Sequence, residues 1–237
     1  MLPRSREQRA KDRRPPSPRR VRAFRTRILA WYAANGREFP WRAADASHYE
    51  HVISEVLLQR TRAEAVAAFF PSFVRKFRSW NQLSQASESE LGSFLRPIGL
   101  WRRRAASLQL LARAMTLRRG RFPKSREEIA QLPGVGQYIA NAIEAACWCR
   151  PKPLLDVNMA RVLERYFGPR ALADIRYDPY LQSLAHEVVR CEHPLTASWS
   201  VLDLAAAICT PRKPNCPRCP LSGSCNYARG ISKGRDD

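Results

Sequence analysis

Four of the seven cysteines fall in the last 29 residues, at Cys209, Cys216, Cys219 and Cys225, spaced C-x6-C-x2-C-x5-C. Thiolates are soft ligands that suit zinc or iron–sulfur centres. A structural zinc site usually draws on two close pairs separated by a longer stretch. Here one close pair is flanked by two single cysteines. Four thiolates from one compact loop suit a cubane 4Fe–4S cluster, with zinc and free thiols as the alternatives. Arg212, Lys213 and Arg218 lie in the intervening loops. They are either phosphate contacts presented by a rigid knot or ordinary solvated charges. Cys147, Cys149 and Cys191 read as core cysteines.

A second group carries a different chemistry. Leu132-Pro133-Gly134-Val135-Gly136, followed by Gln137, lies between two helical stretches. Two glycines permit a tight turn and let a phosphate approach backbone N–H groups, and the next helix turns its N-terminus toward that anion. The segment reads as a helix-hairpin-helix, a sequence-independent DNA backbone clamp; an ordinary αα-turn is the alternative. Ser125 and Glu128 have the spacing of a capping box before it. Asp156 follows Pro151, Pro153 and an apolar pair, and it precedes a helix over 157–167. That is the place of an N-cap. A capping Asp stays ionised beside a helix N-terminus, and an ionised carboxylate stabilises a cation-like transition state. Glu55, at 100° per residue, shares a helix face with Gln59 and Arg62, off the main apolar stripe. That face is either solvated or lines a pocket. Tyr138 begins the helix after the hairpin, as a core aromatic or as a pocket residue able to stack on a base or hydrogen-bond. His48, His51, His186 and His193 show no ligand spacing, and no chemistry is assigned to them.

The elements that must position these groups are helical. Tyr49, Val52, Ile53, Val56 and Leu57 recur at helical spacing, as do Leu108, Leu111, Ala112 and Met115. Ile139, Ala142, Ile143 and Ala146 make a third stripe. Val162, Leu163, Tyr166 and Phe167 make a fourth, stopped by Gly168. Leu181, Leu184, Ala185 and Val188 make a fifth. Breaks fall at Asn35-Gly36, Pro97, Gly120, Pro123, Pro133-Gly134, Pro151, Pro153 and Pro194. Strand signals are weak, which predicts an all-α protein of about ten short helices.

The balance of 41 Lys+Arg against 21 Asp+Glu leaves a net charge of +20. Nucleic acid is the first partner such a charge calls for, and an anionic membrane surface the second. Residues 1–22 hold nine Lys/Arg against Glu7 and Asp12, with Pro3, Pro15, Pro16 and Pro18, and read as a disordered basic arm. The remainder still carries +13. The arm lacks the apolar face of a membrane-binding helix. No apolar run approaches the roughly 18 residues that span a bilayer, and no apolar core follows the basic start as in a secretory signal. With six Trp, seven Tyr and nine Phe to bury, global disorder is excluded.

The cysteine loop, the hairpin and the aspartate between them, in this order, resemble the helix-hairpin-helix DNA glycosylases of the endonuclease III/MutY superfamily. The resemblance covers residues 24 to 227. It rests on Phe39-Pro40-Trp41-Arg42, the run Ser54 to Thr61, Ile98-Gly99-Leu100, the hairpin, Leu155-Asp156-Val157-Asn158 and the cysteine spacing. It implies an all-α, two-lobed fold with a C-terminal 4Fe–4S loop. One lobe spans 42–150 with the hairpin, and the other spans 23–41 and 151–237 with the cluster. A groove between them is expected to hold Asp156 and, across it, Glu55 and Tyr138.

Lyase members of the superfamily carry a Lys two positions after the second hairpin glycine; here Tyr138 stands there. Without that amine the resemblance implies a monofunctional glycosylase. Tyr is what the Mig-type thymine/uracil mismatch glycosylases carry, and Phe39 to Arg42, Arg60-Thr61, Arg161 to Gly168 and Ala207 to Pro214 also look like that group. Gln59 is MutY-like and keeps adenine excision as the alternative. The chain ends about ten residues after its last Cys, so MutY's C-terminal 8-oxoguanine-sensing domain is not expected. A non-catalytic iron–sulfur DNA-binding protein is a further alternative.

The resemblance makes Asp156 the catalytic carboxylate and Glu55 a pocket carboxylate that contacts the flipped base or orients water. It makes Arg60 the plug of the vacated duplex position and Leu100 the wedge on the opposite strand, with Trp101 as a substitute wedge. Gln59 would read the pairing partner, and Asn158 would fix the backbone after Asp156. Gly134, Val135, Gly136 and Gln137 would clamp DNA, sometimes with a monovalent cation on main-chain carbonyls. The partner implied is double-stranded DNA with a mismatched or damaged base. The protein is expected to be a monomer, cytoplasmic and nucleoid-associated if prokaryotic.

Overall fold

The computed structural model describes residues 15–233, and among these every regular element is a helix. In chain order the α-helices are α1 (Pro18–Asn35), α2 (His48–Leu58), α3 (Ala63–Lys76), α4 (Trp80–Gln85), α5 (Glu88–Leu95), α6 (Trp101–Leu117), α7 (Arg126–Ala130), α8 (Gln137–Trp148), α9 (Val157–Phe167), α10 (Pro179–Val189), α11 (Pro194–Ala207) and α12 (Asn226–Lys233). Short 3-10 turns cover Pro40–Arg42, Arg96–Ile98, Cys216–Arg218 and Ser222–Ser224. Each of the five expected stripes falls inside one helix: α2, α6, α8, α9 and α10.

The chain divides into two compact units, Met1–Arg37 with Cys149–Asp237, and Glu38–Trp148. These boundaries lie a few residues before those expected at 41/42 and 150/151. The unit Glu38–Trp148 is built around α2, whose Val52, Ile53 and Leu57 are fully buried. An aromatic cluster closes it: the Tyr49 and Trp80 rings meet edge to face at 4.8 Å, and Phe73, Phe77 and Phe94 pack together. Such pairs stabilise beyond the area they bury, by about 0.5–1.5 kcal/mol each. Ser47 and Glu50 form a full capping box at the start of α2. At Ser125 only half of the expected box forms. Its hydroxyl accepts the Glu128 N–H at 3.2 Å, while the Glu128 carboxylate pairs with Arg118 at 3.2 Å.

The other unit packs α1, α10 and α11 with α9. Here the structure corrects the arm. Residues 1–14 of it lie outside the described residues, and from Pro18 the chain is already α1. Ser17 caps that helix, Pro18 opens it, and Val21, Phe24 and Ile28 are buried at helical spacing. The Phe24 ring meets Tyr166 at 4.9 Å and Phe167 at 5.2 Å. Arg20, counted as arm charge, donates to the carbonyls of Tyr166 (2.8 Å) and Ser224 (3.2 Å) and to Asn226 Oδ1 (2.8 Å). The charge pattern concealed a helix whose apolar stripe begins only at Val21. Cys149 is a further correction. It is exposed, in a left-handed backbone conformation (φ 49°), and is not a core cysteine.

Candidate functional site

In the unit Glu38–Trp148, α7, the turn at Leu132–Gly136 and α8 form the helix-hairpin-helix. Val135 N–H donates to the Leu132 carbonyl at 3.1 Å. Gly134 has φ +73°, a conformation L side chains rarely adopt, so glycine is needed for the turn. A side chain at Gly136 would meet nothing within 4 Å, so its surface stays open to a close backbone approach. Arg126 of α7 donates to Asn141 Oδ1 at 2.9 Å and pairs with the buried Glu144, which fixes α7 against α8.

Tyr138, in the first turn of α8, donates its hydroxyl to Glu55 Oε2 at 2.9 Å. Glu55 is only 7% exposed, so this carboxylate is not solvated, whereas Gln59 and Arg62 beyond it are exposed. Gln59 and Arg60 are exposed where α2 ends, and Leu100 is exposed (49%) in the turn before α6. Both Arg60 (φ 56°) and Leu100 (φ 50°) have left-handed backbone conformations. Trp101, offered above as a substitute wedge, is held instead. Its ring lies against Gly92 and is flanked by the guanidinium groups of Arg102 (4.4 Å) and Arg96 (5.2 Å). Arg104, which the sequence did not single out, is buried and binds both turns.

In the other unit, Asp156 is the N-cap of α9. Its Oδ1 accepts the N–H groups of Asn158 and Met159, each at 2.8 Å, and its Oδ2 accepts the Asn158 side-chain amide at 2.6 Å. The preceding Leu154 and Leu155 are buried, and Leu154 N–H donates to the Ser198 hydroxyl at 3.3 Å, so the chain enters the helix at a set point. Val157 stands exposed beside the carboxylate. Asn158 Oδ1 accepts from Arg161 at 3.1 Å, and Arg161 donates to the Cys209 carbonyl at 2.8 Å. One helix face thus carries hydrogen bonds from Asp156 to the first residue of the cysteine loop. Burial holds Arg161 below its usual pKa.

The loop itself is two 3-10 turns, ending at Cys219 and Cys225. Leu221 anchors it in the core, and Arg165 crosses beneath it, donating to Cys209 Sγ at 3.4 Å and to the Thr210 carbonyl at 2.7 Å. None of the four cysteines is in a disulfide. Burial, with the neighbouring thiols adding, raises the Cys216 thiol pKa and pushes Cys219 up to about 11. Four soft donors gathered closely enough to perturb one another fit an iron–sulfur group, whose charge removes that penalty. Among the described residues no three His, Cys, Asp or Glu side chains form a group suited to one metal ion. A multi-iron cluster places its thiolates on separate irons and does not need them to converge. Cys147, outside this loop, is pushed up to about 12 by burial, which leaves it an inert thiol. Arg212, Lys213 and Arg218 are exposed.

Arg104 was missed because it ends the charged run Arg102-Arg103-Arg104; the available signal was Leu100, Trp101 and Leu108 at helical spacing from it. Arg161 and Arg165 had no role beyond the likeness of their segment.

Residues 53–177 match the family of HhH-GPD superfamily base excision DNA repair proteins, and residues 209–225 match the iron–sulfur binding domain of endonuclease III. The chain belongs to the HhH-GPD superfamily of base excision DNA repair proteins and carries that iron–sulfur binding domain. Among its relatives is the thymine-DNA glycosylase of Aeropyrum pernix, 37% identical over 213 residues (88% of this chain, 95% of the relative). The thymine/uracil-DNA glycosylase of Methanothermobacter thermautotrophicus is 33% identical over 208 residues (87% and 93%). The solved structure of a thermostable thymine-DNA glycosylase superposes with a TM-score of 0.82 at 31% identity, covering 90% of this chain and 98% of that one.

Proposed function

We propose that this protein is a monofunctional DNA N-glycosylase that hydrolyses the glycosidic bond of thymine or uracil mispaired with guanine. The observation that carries the reading is the Tyr138–Glu55 pair. A phenol bonded to a buried carboxylate occupies the hairpin-helix position where lyases of this superfamily place their amine. The names and near full-length coverage of the relatives support the same substrate class.

Glycosidic cleavage passes through a cation-like sugar. Asp156, held by three hydrogen bonds at a helix N-terminus, offers a fixed negative charge for it. Glu55, with Tyr138 bound to it, orients the extruded base or the attacking water. Arg60 fills the vacated duplex position and Leu100 wedges into the opposite strand. The hairpin Gly134 to Gln137 holds the backbone, with a monovalent cation on its main-chain carbonyls, and Arg212 and Lys213 add phosphate contacts. Cys209, Cys216, Cys219 and Cys225 would hold a 4Fe–4S cluster, and their ligation would tie the loop together. The protein acts as a monomer on mismatched double-stranded DNA.

Exposed Gln59 favours a second reading, excision of adenine opposite guanine or 8-oxoguanine. Labelled duplexes containing T:G, U:G, A:G and A:8-oxoguanine decide between them. The expected result is loss of T and U with strand breaks only after alkali. Excision of A would transfer the protein to the second reading, and breaks without alkali would refute the monofunctional assignment.

A further inference from the structure

Arg60 and Leu100 share a feature that neither explains alone. Both are non-glycine residues in the left-handed region, both are exposed, and they stand in separate turns. Behind them lies the guanidinium of Arg104, 5% exposed, on the first turn of α6. Its Nη2 donates to the carbonyls of Leu57 (3.2 Å) and Gln59 (2.9 Å) and to the Thr61 hydroxyl (2.9 Å). Its Nη1 donates to the carbonyls of Ile98 (3.2 Å) and Gly99 (2.6 Å). The Gln59 carbonyl belongs to the peptide entering Arg60, and the Gly99 carbonyl to the peptide entering Leu100. One end of a rigid planar fork therefore holds each strained peptide.

No carboxylate is among these acceptors. Four carbonyls and a hydroxyl, including the free carbonyl end of α2, solvate the buried charge. The Thr61 hydroxyl lies 3.3 Å from the Ile98 carbonyl and links the same two turns. Arg104 is buried and its guanidinium is taken up by these acceptors, so it cannot itself insert into DNA.

We propose that Arg104 is a positioning residue that sets the spacing of Arg60 and Leu100, so that both enter the duplex together when the target base is extruded. The inference rests on the reading of those two residues as inserting groups. Lysine keeps the charge at this position but has no fork to reach both turns.

The test reads extrusion apart from chemistry. A 2-aminopurine placed beside a uracil opposite guanine reports unstacking, followed in proteins that also carry Asp156→Asn. Single-turnover excision is measured with Asp156 intact. Arg104→Lys is expected to slow unstacking and excision together, by about tenfold to a hundredfold, with affinity for undamaged duplex unchanged within about twofold, since the charge is kept. Thr61→Val gives a smaller reduction of the same kind, and it carries the test alone if Arg104→Lys fails to fold. In an Arg60→Ala/Leu100→Ala protein, the additional slowing from Arg104→Lys disappears, because both act through one step. A full-size effect in that background, or slower excision with normal unstacking, overturns the proposal. If the Arg60→Ala/Leu100→Ala protein itself unstacks and excises normally, the inserting-group reading has failed. If it is impaired and Arg104→Lys is not, the proposal alone has failed.

Discussion

Replacing Asp156 by Asn separates the two tasks its carboxylate can perform. As an N-cap, Oδ1 accepts two backbone N–H bonds, and an Asn side chain keeps both. The second oxygen is different. Oδ2 accepts the Asn158 amide at 2.6 Å, and an amide nitrogen there would meet another donor. Asn158 can turn its amide over, but its Oδ1 then leaves Arg161. Either way about one hydrogen bond disappears, about 1 kcal/mol. The missing charge at the helix N-terminus adds about 0.3–1 kcal/mol. A total of about 1–2 kcal/mol lowers the melting temperature by about 2–8 °C in a chain of this length.

Chemistry should suffer far more. Removing a preorganised charge from a developing cation costs at least about a hundredfold to a thousandfold in rate. The assay is single-turnover excision of uracil opposite guanine, with alkaline cleavage, beside a thermal melt and a duplex-binding titration. Binding should hold or tighten slightly, since a negative charge leaves the surface. If Asp156→Asn melts as expected yet excises within about tenfold of the wild type, the carboxylate is a cap and no more, and the sugar-stabilising role is wrong.

Tyr138→Phe removes a donor from a buried carboxylate and should cost about 1.5–3 kcal/mol of stability with slower excision, read by thermal melts and single-turnover kinetics; an unchanged melting temperature would mean the hydrogen bond between them contributes nothing. Arg212→Ala with Lys213→Ala should weaken duplex binding and reduce the slope of log affinity against log salt by about 0.9 for each phosphate no longer neutralised, and a slope equal to wild type would return both side chains to solvent. Cys219→Ser should abolish the visible iron–sulfur absorption of the purified protein and lower its melting temperature, Cys219 being packed on the core; retained absorption would exclude it as a ligand. Burial, helped by the charge of His48 and opposed by Glu50, holds His51 below its usual pKa. The unfolded chain therefore binds this proton first as pH falls, so the stability His51 contributes is full above about pH 6.5 and is lost below it. His51→Gln should flatten the fall in melting temperature between about pH 7 and 5, and an unaltered pH profile would show that His51 is not its source.

Local pattern determined much of this protein. The cysteine spacing marks the iron–sulfur loop because here all four thiols come from one short segment, residues 209–225. Asp156 announces itself as a cap because capping involves only the next three residues. Gly134 marks the turn because only glycine takes its φ without strain, and the five helical stripes need only the 3.6-residue period. Tertiary structure alone decided the rest, because burial of a charge depends on partners that sequence spacing does not reveal. Helical spacing left Glu55 either solvated or lining a pocket, and only the fold brought Tyr138, 83 residues away, to its carboxylate. Nothing in the sequence marked Arg104 as buried; carbonyls from two separate turns solvate it. Arg20 lay in what composition marked as a disordered arm. It is ordered by the carbonyls of Tyr166 and Ser224, which only the folded unit places beside α1.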